Sequence, residues 1–172
     1  ASAPPERKED RRGIAGLVLI VKIAGAAAST VDSLDELVRV TTKARDNTRS
    51  VGVAVAAGSI PATGEPTFDL AEGMMGVGMG IHGEKGVRVD PLCTADEMAP
   101  QLLDIVFGDD LEFGDGDEVI LFINSLGATT QMELLILNRA LKPLLAAKGI
   151  KVYDTVIGDI VTCQEMAGLS VS

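Results

Sequence analysis

Two hydrophobic periods alternate along this chain, and the switches between them divide it into elements. Ile14 to Ile23 is an apolar run followed by Ala24-Gly25-Ala26-Ala27-Ala28, which predicts a buried helix over 13–28 with small residues permitting close packing. Ser33-Leu-Asp-Glu36 has the spacing of a capping box. Leu34, Leu37, Val38 and Thr41 follow at helical intervals, so a second helix is expected to about Arg49. Val51 to Ala57, bounded by Gly58 and Pro61, reads as a strand. Six of the 19 glycines fall between Gly73 and Gly86. At roughly 1 kcal/mol each they oppose a helix, so strand and tight loop are expected there.

The second half is more regular. Thr94-Ala-Asp-Glu97 is a second capping box, opening a helix through Leu102, Leu103, Ile105 and Val106. Glu118 to Asn124 is an apolar strand of the kind buried in mid-sheet. Ser125 to Thr129 forms a loop, Thr130-Gln-Met-Glu133 caps a long helix to about Lys148, and Gly149 ends it. Ile150 to Ile157 is the next strand, and Leu169 to Ser172 begins a last one. Strands alternating with helices predict an α/β fold: a two-layer sandwich with a mixed, mostly parallel sheet and helices packed largely on one face. Residues 1–12, polar and containing Pro4-Pro5, read as a flexible lead or linker remnant, and residues 13–172 as a single domain.

Composition narrows the function. With 15 Lys and Arg against 25 Asp and Glu, the net charge is −10, and there are five aromatic residues. That opposes a nucleic-acid surface, which needs clustered cations and stacking rings. The single histidine, His82, excludes sites built on two imidazoles, and Cys93 and Cys163 have no metal-ligand or redox spacing. The basic and apolar N-terminus imitates a secretory signal. Lys22 interrupts the apolar segment, and a bilayer span takes about 20 apolar residues, so a soluble, cytoplasmic protein with no membrane partner is expected.

Gly78-Met-Gly80-Ile-His-Gly83 spells G-x-G-x-x-G, but Gly86 and Pro91 follow where dinucleotide binding requires a helix. A lone histidine is ordinarily a surface or satisfied core residue. Here Gly80 and Gly83 remove side chains around His82, letting another molecule approach its ring, and Glu84 stands two positions on. His82 would act alone or with groups from another chain. Asn124 to Thr130 joins a strand end to a capped helix, where α/β sheets bind ligands, and reads as a plain turn or subunit contact. The acidic group Asp109, Asp110, Glu112, Asp115, Asp117 and Glu118 lacks calcium-loop spacing and reads as a solvated hairpin. The cysteines read as small core residues.

From Gly13 onward the chain resembles the substrate-binding K subunit of dihydroxyacetone kinases, and in particular its second domain. The matching stretches are Gly78-Met-Gly-Ile-His-Gly-Glu84, Lys22-Ile-Ala-Gly-Ala-Ala-Ala28, Arg49-Ser-Val-Gly-Val-Ala54, Asn124-Ser-Leu-Gly127 with Met132-Glu-Leu134, and Thr162 with Glu165-Met-Ala-Gly168. The resemblance implies that His82 is catalytic and captures dihydroxyacetone, or a similar short hydroxyketone, as a covalent hemiaminal. Gly80, Gly83 and Glu84 would complete this chain's substrate contacts, and no metal site is implied.

The same resemblance implies a donor on a partner, either ATP with Mg or a phosphoprotein, and no cofactor bound by this chain. The partners implied are a first-domain K chain, a nucleotide-binding L subunit or domain, and a second copy in a homodimer. A non-catalytic sensor of dihydroxyacetone is the alternative. The family usually has Glu where this chain has Gly76, and Pro where it has Lys85. Its acidic base and a second histidine lie on the first domain, and its members continue beyond the segment matching Gly168 to Ser172.

Overall fold

The structure, a computed structural model, describes residues 5–11, 14–81, 84 and 86–172. After a short 3-10 helix (Pro5–Asp10), the order is α1 (Gly16–Ala28), α2 (Leu34–Asp46), β1 (Val51–Ala56), β2 (Met74–Val77), β3 (Arg88–Pro91), α3 (Ala95–Phe107), β4 (Glu118–Ser125), α4 (Gln131–Ala147), β5 (Lys151–Gly158) and β6 (Ala167–Val171). The caps explain the helix starts. Thr94 and Thr130 each accept the N–H of the glutamate three residues on, which reaches back to the cap's own N–H. At α2 Ser33 accepts from Glu36.

The six strands form one mixed sheet in the order β3-β2-β1-β6-β4-β5. The expected mostly parallel sheet is corrected here. Only β4 and β5 pair parallel, while β1/β2, β1/β6, β2/β3 and β4/β6 are antiparallel. The reason lies in the connections: α4 supplies a helical crossover from β4 to β5, whereas β1, β2 and β3 follow one another without an intervening helix. β3 lies in the stretch after Gly86 to which no element was assigned from sequence.

The main core packs α3 (Leu102, Leu103) and α4 (Leu134, Leu137, Leu141) on Val51, Val53, Leu121, Ile123, Leu169 and Val171 of the sheet. Neighbouring residues on a strand face opposite ways. Phe122 therefore lies on the other face, where Ile14, Ala15, Val18 and Leu19 cover it. The one-face expectation describes α3 and α4, while the start of α1 crosses the opposite face. Among the described residues no helix is long and apolar enough to cross a membrane.

Two sequence readings need adjustment. Cys93 and Cys163 are half-buried at the edges of clusters rather than inside the core. The acidic hairpin is not wholly solvated. Arg11 grips Asp109 through two 2.7 Å bonds, and Arg49 Nε lies 3.0 Å from the same carboxylate, whose side chain is 3% exposed. Two guanidiniums offset the desolvation that a lone carboxylate could not bear.

Candidate functional site: a glycine-bounded connection between β2 and β3

The segment containing the histidine joins two antiparallel strands, with the next helix starting only at Ala95. That removes the dinucleotide reading. Val87 N–H donates to Val77 O (2.8 Å) and Gly78 N–H to Gly52 O (2.7 Å), closing the neck of the connection. Gly78 has φ +80°, a conformation few other residues adopt. A Cβ on Gly86 would strike the Val77 carbonyl, and one on Gly52 the Met79 carbonyl. Backbone thus lies directly on backbone here. Gly76, lacking a side chain, leaves space occupied by the Met79 thioether, whose sulfur accepts the Gly86 N–H at 3.1 Å.

Gly80 and Glu84 lie together: Gly80 N–H donates to Glu84 O at 3.2 Å, and the Glu84 carboxylate occupies the space a Gly80 side chain would need. His82 and Gly83, the other two residues predicted for the site, and Lys85 lie outside the described residues. What can be placed is Ile81, immediately before the histidine. It packs both on the cluster of Ala54, Met79, Leu126 and Met166 and on that of Ile14, Ala15 and Phe122. The second cluster also receives Val156 and Val161.

Sequence reading treated residues 124–130 as a turn or contact. The structure also joins this loop to residues 159–168. Cys163 N–H donates to Leu126 O (2.8 Å), Leu126 N–H to Gly168 O (3.0 Å) and Ala128 N–H to Met166 O (3.1 Å). The Thr129 hydroxyl donates to Gly168 O at 2.7 Å and accepts Gly168 N–H at 2.9 Å. Gly127, at φ +140°, has no room for a Cβ against the Gln164 carbonyl. The Glu165 carboxylate accepts the Ser59 N–H (2.9 Å) and hydroxyl, tying in the long β1–β2 connection. Burial pushes the Cys163 thiol pKa up, and the negative charges of Glu84 and Glu165 add to it. Among the described residues, no three His, Cys, Asp or Glu side chains gather as metal ligands.

Asn124, read from sequence only as the start of a turn or contact, has a larger part in the structure. It is fully buried at the end of β4 and bonds three backbone groups of Ile160 and Val161. The signal was a polar residue closing an otherwise apolar strand.

The chain belongs to the family defined by the Dak1 domain, whose model matches residues 1–172. It is 41% identical over its whole length to L-erythrulose 1-kinase of Mycolicibacterium smegmatis, covering 31% of that protein. It is 35% identical over 97% of its length to the dihydroxyacetone-binding subunit DhaK of the PTS-dependent dihydroxyacetone kinase 2 of Listeria innocua, covering 50% of it. Among solved structures, the dihydroxyacetone kinase operon co-activator Dha-DhaQ superimposes with a TM-score of 0.84 at 31% identity, over 93% of this chain and 49% of that one. The chain thus spans half or less of the length of these relatives.

Proposed function

We propose that this Dak1 chain is the substrate-capturing part of a dihydroxyacetone kinase, with residues 13–172 as one domain supplying half of a site. His82 adds to the ketone carbon of dihydroxyacetone or a similar short hydroxyketone. A ring-nitrogen lone pair forms the C–N bond, and the C=O π pair moves to oxygen, which takes a proton. The other ring nitrogen releases a proton. A neutral imidazole suits this step because its near-neutral pKa leaves much of it unprotonated. Glycerol has similar hydroxyls and no carbonyl, so covalent capture rejects it without a large pocket.

The observation supporting this reading is the neck itself. Gly52 and Gly86 let backbone lie where a Cβ would strike a carbonyl, and Gly78 turns the chain at φ +80°, in a chain whose relatives include a dihydroxyacetone-binding subunit. A terminal hydroxyl is then phosphorylated by ATP with Mg, or by a phosphoprotein, held on an L subunit or other partner. A first-domain K chain supplies the general base. The catalysis is positioning and electrostatics.

The test uses dihydroxyacetone labelled with 13C at the ketone carbon, added to the chain alone and with a first-domain K chain. The carbon signal moves from the carbonyl range to that of a tetrahedral carbon, and His82→Ala abolishes the change. Equal retention of ketone by the mutant overturns covalent capture. With a donor subunit, the isolated chain phosphorylates little ketone, and the first-domain chain restores turnover.

A sensor is the second reading, favoured by the similarity to an operon co-activator. It prevails if the reconstituted complex binds ketone but never phosphorylates it with either donor.

A further inference from the structure

The described residues contain three fully buried polar side chains, Asn124, Ser125 and Ser170, and all three lie where β4 meets β6. Gly52 and Asn124 both pair with Ser170 in the sheet, so these three positions form a row across β1, β6 and β4. The Met79 carbonyl lies on Gly52 at one end of that row, and Ile81 packs against the two clusters to which Leu126 and Phe122 belong. Met79 therefore lies against one end of this buried polar row.

Asn124 has a specific task in that row. Its Nδ2 donates to Val161 O (2.8 Å), and its Oδ1 accepts the N–H groups of Ile160 (3.1 Å) and Val161 (2.7 Å). One amide thus satisfies both backbone groups of Val161 and fixes the loop leaving β5. Val161 packs against the Ile14, Ala15 and Phe122 cluster, which also receives Ile81, and His82 is bonded directly to Ile81. A buried amide with its bonds made tolerates little displacement, because any shift leaves polar groups unpaired. We infer that Asn124 is a positioning residue for His82, acting through the cluster that Val161 and Ile81 share. This rests on the proposed ketone capture only for its functional arm.

The single histidine makes the inference testable, since histidine-selective 15N labelling reports His82 alone. Asn124→Asp keeps the two acceptor bonds and removes the donor to Val161 O. Val161→Ala keeps the clamp and shortens the side chain that passes it on. Leu141→Ala, in the α4 core on the opposite face, is the control for general loosening. Both site variants shift the ring signals without ketone and weaken dihydroxyacetone capture, Asn124→Asp at least about tenfold, the effect of losing roughly one buried hydrogen bond. Leu141→Ala lowers Tm and leaves ring signals and capture unchanged. Wild-type ring signals in both Asn124→Asp and Val161→Ala overturn the inference, as does an equal change in Leu141→Ala. Should the unaltered chain fail to capture ketone, the proposed function falls and the ring signals still decide the role of Asn124. Should Asn124→Asp fail to fold, Val161→Ala decides it.

Discussion

The backbone N–H of Gly80 donates to the carbonyl oxygen of Glu84 across 3.2 Å, and the Glu84 carboxylate fills the place where a side chain on Gly80 would stand. A methyl group at Gly80 therefore displaces Glu84 rather than the fold, since the obstruction is the end of a flexible side chain. Gly80→Ala is expected to keep Tm within about 4 °C, a change of roughly 1 kcal/mol, while ketone capture falls at least about tenfold. Calorimetry and ketone titration check it. Gly80→Ala with Glu84→Ala recovers part of the loss if the collision is its cause.

Cys163 reports independently on Glu84. Burial raises the thiol pKa first, and the carboxylates of Glu84 and Glu165 raise it further above the ordinary 9.0. Alkylation by iodoacetamide at pH 8 is expected to be slower than that of a free thiol, because the thiolate is the nucleophile. Glu84→Gln lowers the pKa and speeds alkylation of Cys163 while leaving Cys93 unchanged. Equal Cys163 rates with and without Glu84 would sink the assignment.

Thr130 and Glu133 give a pH dependence of known sign. The Glu133 carboxylate accepts the Thr130 N–H and hydroxyl, both at 2.8 Å, which holds its pKa below the ordinary 4.5. A depressed carboxyl pKa gives stability that is present above the unfolded value and lost as pH falls through the folded one. Below about pH 4.5, Tm should fall more steeply in the unaltered chain than in Glu133→Gln. At pH 7, Thr130→Ala should cost about 1 kcal/mol, or a Tm shift of roughly 2–4 °C. Thermal unfolding across pH 3–7 checks both.

α1 and α2 pack on each other yet leave Leu17, Val21, Ile23, Leu34 and Val38 largely exposed. Exposed apolar side chains on two helices packed together are the kind of feature that marks contact surfaces. The chain is expected to form a homodimer or to bind a first-domain K chain, with Val21→Glu and Val38→Glu weakening the association. Solution scattering from micromolar to millimolar concentration tests it. A monodisperse monomer throughout would count against it.

Local chemistry made much of this legible beforehand. Thr94 and Thr130 each had a glutamate three residues on, so two helix starts could be read to the residue. The apolar run of β4 and the left-handed Gly149 were equally plain. Strand direction was not, because alternation of elements predicts parallel pairs only where a helix joins neighbours, and just one connection here does so. β3 escaped notice because Arg88-Val-Asp-Pro91 is short and mostly exposed. At the site, the glycines identified the segment, but its support did not stand out. Asn124 contacts backbone 36 and 37 residues away, and a contact of that span leaves no periodicity to read.

The strand order has a consequence for how the sheet is assembled. β1, β2 and β3 form one antiparallel ribbon, β4 and β5 form a parallel pair around α4, and β6 lies between these two halves, bonded to each. Until Ala167–Val171 has emerged, each half presents an open edge and lacks the central strand that joins them. Formation of the complete sheet must therefore follow synthesis of its last strand, through pairings such as Val51 with Val171 that span most of the chain. Slow, late closure is expected, with β6 acting as the latch and the buried polar row completed only when Ser170 arrives between Gly52 and Asn124.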